Sequence, residues 1–270
     1  MRYIRIISAL LSLTAAFIFF ACNSSNPVTP PPTVRAFSFG VGNSFVFDSW
    51  ALDTASANYG NKIDSTLTII HETISDSGLT IAGVSGVYAA LDSSFTPAGT
   101  YTGSSTVYYS VKDSSIWAYG LVASMLGNLP NIPIQIPQNW NEIADNASGS
   151  TWVADTFSLP ITIPISGNNV PGTVALAIMG RNAGDNTLNV AGNSLLCNHS
   201  VDSGGVDVSA TVPIFGKISV GNLPLVFQLD VSYQPTVVAK IYNPPTKFSS
   251  SQYPFALMGT ERDLVSWHTK

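Results

Sequence analysis

The chain has 270 residues and a formal net charge of −5, with 45% hydrophobic residues but only 10% charged ones, against about 25% charged in ordinary domains. So thin a charge complement excludes a coiled coil, a salt-bridged helical bundle and a charged disordered tail. There is no Lys/Arg cluster, so nucleic acid is not expected as a partner, because phosphate-backbone binding needs one.

Arg2 and Arg5 form a short positive start, and residues 6–20 form an apolar run broken only by Ser8, Ser12 and Thr14. Ala21, a small residue, precedes Cys22. This is the layout of an export signal, which places a signal peptide over 1–21. The run is shorter than the ~20 apolar residues of a membrane-spanning helix, and no basic stop-transfer flank follows it. Residues 22–35 continue as a tether. After Cys22 they read NSSNPVTPPPTVR, with Pro27, Pro30, Pro31 and Pro32. Such a segment is stiff polyproline II rather than a folded element, and at ~3.1 Å per residue it reaches about 40 Å.

Phe19-Phe20-Ala21-Cys22 resembles the lipobox of bacterial lipoproteins. That resemblance implies a Cys22 thiol joined to diacylglycerol, cleavage before it, and a cell-envelope location with the membrane as a partner through the anchor. Asn23 rather than Asp after the Cys leans towards the outer membrane, by the same analogy. Phe19 and Phe20 depart from the usual Leu and small residue, and an ordinary secretory signal is the competing reading. If Cys22 is acylated, Cys197 has no partner for an intrachain disulfide. If it is not, a Cys22–Cys197 bridge is open.

From residue 36 to 270 the sequence reads as one antiparallel all-β domain, either a β-sandwich or a curved half-barrel, since no helical period holds over eleven residues. Residues 44–52 (SFVFDSWAL) alternate, with Phe45 and Phe47 on one face. Residues 65–74 (STLTIIHETI) and 78–84 (GLTIAGV) flank Asp76-Ser77-Gly78, which reads as a hairpin turn. Residues 106–111 (TVYYSV) and 116–121 (IWAYGL) make the clearest hairpin, around Lys112 to Ser115. Residues 121–140 are apolar but hold Pro130, Pro133 and Pro137, so they read as a crossover or cap, with one or two helical turns over 139–147. The span 152–165, with Pro160 and Pro164, suits an edge strand or bulge. Further strands are expected at 173–180, 186–200, 206–214, 217–220, 225–233, 236–242 and 262–268, divided by Gly216, Gly221, Pro224 and Pro235.

Asp-Ser recurs at Asp48, Asp64, Asp76, Asp92, Asp113 and Asp202. The pairs read as turn-forming, since the D-x-D clustering of calcium loops is missing. No nucleophile elbow, H-E-x-x-H or zinc-spaced Cys pair occurs, so no metal and no cofactor is expected. His71 and Glu72 fall on opposite faces of a strand. Cys197 and His199, two apart on one face, read as a candidate thiol–imidazole pair or two metal ligands. The plainer reading is a buried Cys beside a half-exposed His. Among thirteen Asp and three Glu, Glu72 and Asp230 lie most firmly inside strands, where outward-facing charges that discourage edge pairing are expected. Aromatics such as Trp50, Trp117, Trp140 and Trp267 read as strand packing rather than a ligand-binding strip.

Gly40-Val41-Gly42-Asn43-Ser44-Phe45, the hairpins with Tyr108-Tyr109 and Trp117, the strand Gly192 to Cys197, and Glu261-Arg262-Asp263-Leu264-Val265-Ser266-Trp267 together resemble β-rich surface lipoproteins of Gram-negative bacteria. Phe45 stands where that group has Trp, and Trp267 where it has Tyr. The likeness implies an antiparallel sheet curved around an apolar cavity, and it carries over no catalytic residue. The expected protein is therefore a lipid-anchored, non-enzymatic envelope protein that binds a protein partner, a glycan or an apolar ligand, in its sharper form a lipid or lipoprotein carrier with an apolar cavity capped by residues 121–140. The alternatives are a hydrolase of envelope polysaccharide and a structural or adhesive β-sandwich.

Overall fold

The computed structural model describes residues 35–126, 135–165, 168–250 and 255–270. Cys22 and the residues read as a signal peptide and tether, up to residue 34, lie outside the described residues. Residues Ala36–Lys270 form one compact unit, whose described residues are all-β apart from one short helix and a 3₁₀ turn.

Strand β1 (Ser44–Leu52) follows its alternation and fully buries Phe45 and Phe47. Strands β2 (Thr68–Ile81) and β3 (Val84–Phe95) make a long hairpin. Its reversal lies at Ala82-Gly83, both at positive φ, and not at Asp76-Ser77-Gly78. Gly78 (φ 76) sits inside β2, where the register slips around Asp76. A left-handed glycine there makes a bulge, and the ladder continues beyond it. Strands β4 (Tyr101–Lys112) and β5 (Ser115–Tyr119) pair as the sequence suggests, closing Lys112 onto Ser115.

Helix α1 (Leu121–Leu126) follows at once, and then β6 (Trp140–Asp145), a strand where helical turns were expected. Six residues are too few to show a period, and the open edge of β5 gives them a ladder partner. Strand β7 (Thr151–Ile165) carries Pro160 and Pro164 on a sheet edge, with a bulge at Val153/Asp155. Proline, lacking an N–H, is tolerated there.

Three long strands come next: β8 (Asn168–Val190), β9 (Asn193–Val212) and β10 (Gly216–Ser232). The sequence reading divides this stretch too finely. Gly221 and Pro224 lie inside β10, where Gly221 marks a bulge. Gly204 lies inside β9, where a Cβ would come within 1.9 Å of the Ala177 carbonyl oxygen; this glycine permits a close approach of backbones. The β9–β10 tip leaves Ile214 fully exposed at φ 74, beside Phe215 at 78% exposure. Strands β11 (Val237–Asn243), β12 (Thr246–Phe248), β13 (Phe255–Leu257) and β14 (Gly259–His268) complete the chain.

Twelve strands form one antiparallel sheet in the order β6-β5-β4-β3-β2-β1-β14-β11-β10-β9-β8-β7, with β12 and β13 apart as a pair. The C-terminal strand β14 is thus central, between β1 and β11. The sheet curls until it is nearly closed into a barrel. Side chains, in place of a ladder, tie its two ends. Trp152 Nε1 donates to Glu142 O (2.8 Å), Ser200 Oγ to Ile143 O (2.7 Å), and the Asn182 and Asn198 amides to Asp145 O (2.7 and 3.0 Å). Two apolar clusters fill the interior. One is built around Phe45, Phe47, Ile74, Ile143 and Leu229, the other around Leu176, Ile178, Val206, Leu225 and Phe227.

Candidate functional site

Alternation along β14 sends Arg262 inward and its neighbours outward. Glu261 and Asp263 meet Lys240 at 2.7 and 2.8 Å, and Lys62 approaches the same pair at 3.4 and 2.9 Å. Inside, Arg262 faces Glu72 of β2 and Asp92 of β3, which are ladder partners. Its Nη2 donates to Glu72 Oε2 at 3.0 Å and its Nη1 to Asp92 Oδ2 at 3.0 Å, while the guanidinium carbon lies 3.8 Å from the centre of the Phe47 ring.

Glu72 and Asp92 are both buried. Burial pushes the Glu72 carboxyl up from 4.5 to about 7, and the Asp92 charge adds to the rise while Arg262 opposes it. Burial likewise raises the nearby Tyr109 phenol well above its usual range. Glu72 Oε1 and Arg262 Nε have no hydrogen-bond partner among the described residues. Taking such a trio out of water costs several kcal/mol per ion before pairing, so it is a poor device for stability alone.

Arg262 and Asp92 of the trio border a cavity of about 430 Å³. Arg262 and Asp92 stand in its wall with Ile70, Val107, Tyr109 and Ile241, and α1 roofs it through Leu121, Ser124 and Met125, with Gln138 beside them. Leu121, Ser124, Met125 and Gln138 belong to the segment read as a crossover or cap. Residues 127–134 lie outside the described residues. The cavity is of small-ligand size, within the usual range of ~300–1,000 Å³. A smaller space of about 180 Å³ lies elsewhere, between Trp117, Trp140 and Lys112.

Cys197 and His199 share a face of β9, yet each has its own partner. The Cys197 Sγ lies 3.6 Å from Leu195 O, fully buried, and burial followed by the Asp230 charge pushes its pKa up to about 12. The His199 Nδ1 lies 2.9 Å from Asp230 Oδ1, which also accepts from Asn186 Nδ2 at 3.2 Å. Among the described residues, no group of three or more His, Cys, Asp or Glu could hold a metal.

Glu72 and Asp230 are buried and partnered, contrary to the outward orientation expected of them. Of the Asp-Ser aspartates, Asp113 sits at a hairpin turn and Asp64 opens the 3₁₀ turn, but Asp48, Asp76, Asp92 and Asp202 lie in strands. Asp202 is buried with Oδ1 unpartnered, and its pKa is raised to about 8 by burial and by Glu142. The signal for Glu72 was its phase. It falls in step with Ile70 and Ile74, which places it on an inward face.

No family model and no curated protein matches the chain. Two solved structures are similar to it. One is a candidate lipoprotein from Parabacteroides distasonis, with TM-score 0.46 and 9% identity, covering 86% of this chain and 97% of that one. The other is a candidate exported protein with a YmcC-like fold from Bacteroides fragilis, with TM-score 0.37 and 10% identity, covering 87% of this chain and 99% of that one.

Proposed function

We propose that the chain is a lipid-anchored protein of the bacterial cell envelope whose β body is a non-catalytic binder, taking a small ligand in the cavity beneath α1. The observation that carries the binding reading is the buried Arg262–Asp92–Glu72 trio, whose Arg262 and Asp92 stand in the wall of a cavity, an arrangement that burdens stability and suits recognition. The anchoring reading rests on the signal, Cys22 and tether order of the sequence. Radiolabelled palmitate is expected to label the wild type and not Cys22→Ala; equal labelling of both overturns the anchor. Native mass spectrometry of protein extracted from cells is expected to show a small molecule bound, which Ser105→Trp at the cavity wall removes. A mass that matches the bare chain in both overturns the binding reading.

One observation favours a second reading, a hydrolase of envelope polysaccharide. A carboxyl raised to about 7 beside a second acid is the pattern of a general acid and its partner. Against it, Glu72 is 2% exposed and sits behind the guanidinium, outside the cavity wall. Release of reducing ends from envelope polysaccharide, lost in Glu72→Gln and Asp92→Asn, would decide for the enzyme.

A further inference from the structure

We propose that the cavity above Arg262 takes a neutral saccharide, a polyhydroxylated ring rather than an acyl chain or a cation. This rests on the reading of that cavity as a ligand site. Its chemistry follows from the wall.

Ser49, Ser105, Ser124, Thr260 and Asn243 bring neutral hydroxyl and amide groups to the space. An acyl chain would strip water from these groups and return no hydrogen bonds. The charged members answer each other: Arg262 is bonded to Asp92 and Glu72, so a cationic ligand would compete with the guanidinium for its carboxylates. An anion would face both acids.

A hydroxyl both donates and accepts. It is therefore the group that can bond a carboxylate and a guanidinium side by side without breaking their pair. Sugar rings also present an apolar C–H face, and the cavity supplies Ile70, Val107 and Tyr109 to receive one. The volume, about 430 Å³, leaves room for one or two pyranose rings.

The test is saturation-transfer NMR on the full chain purified in mild detergent. The probes are glucose, galactose, N-acetylglucosamine and their β-1,4-linked disaccharides, with palmitate and spermidine as separate arms. At least one saccharide is expected to receive saturation. Its affinity should fall about tenfold, the order of one charge-assisted or two neutral hydrogen bonds, in the exposed-site double variant Ser105→Ala/Thr260→Val. Circular dichroism should not change, and Ser105→Trp should abolish the transfer. Transfer to palmitate or spermidine alone, blocked by Ser105→Trp, overturns the saccharide assignment and leaves the cavity a ligand site. Transfer to none of the three classes overturns both.

Discussion

Arg262 holds two carboxylates that could not otherwise stay buried. Replacing it with Met leaves Glu72 and Asp92 facing each other without a counter-charge. Loss of one partner from a buried ion cluster costs about 3–5 kcal/mol, so Arg262→Met is expected to lower the urea midpoint steeply. An unchanged midpoint would show the trio to be solvated. The same burial sets a pH dependence. The Glu72 pKa is raised from 4.5 to about 7, so between those values the unfolded chain has released a proton that the folded protein retains. Stability is then complete below about pH 4.5 and falls as pH rises to about 7, by something on the order of 3 kcal/mol. Asp202, raised from 3.8 to about 8, acts in the same direction over a wider window. Glu72→Gln is expected to flatten the fall in urea midpoint between about pH 4.5 and 7; a slope equal to the wild type's would place Glu72 in water.

At the scale of elements, glycines separate into two kinds. Gly204 has the Ala177 carbonyl and the Ile178 Cα where a Cβ would stand, whereas Gly103 of β4 has nothing within 4 Å and an ordinary backbone. Gly204→Ala is expected to cost more than about 3 kcal/mol by forcing β8 and β9 apart. Gly103→Ala is expected to be neutral or slightly stabilising. Thermal melts of the two variants check the contrast. The same distinction governs what the sequence could disclose. Strand β1 and the β4–β5 hairpin were legible because alternation ends at a turn. In β2, β9 and β10, internal glycines imitate turns, since a bulge, a close approach and a reversal all call for the same residue. Strand β6 was too short to declare itself. The site was half legible: Glu72 keeps phase with Ile70 and Ile74, and Arg262 alternates with Glu261 and Asp263. What brings Arg262 to Glu72 is the pairing of β14 with β1 and of β1 with β2. Such long-range register is a property of the closed sheet, and no local window contains it.

At the scale of the whole molecule, β14 joins the two ends of the chain. It pairs Ser44 with His268 on one side and Lys240 with Asp263 on the other, and it contributes Arg262 to the trio. Truncation after Met258 therefore removes a central strand and leaves two unpaired edges and two unbalanced acids. The shortened chain is expected to lack cooperative unfolding by circular dichroism; a sharp transition would show that β1 and β11 can close upon each other.

The hairpin of β9 and β10 gives the body two unlike poles. Strand β10 runs from the Ile214-Phe215 tip to Ser232, beside Tyr233, on which Phe37 stacks. Seventeen residues at about 3.3 Å each make this a path of up to roughly 55 Å. Phe37 therefore lies at one end of that path and the bare side chains of Ile214 and Phe215 at the other, as a handle is set apart from a fingertip.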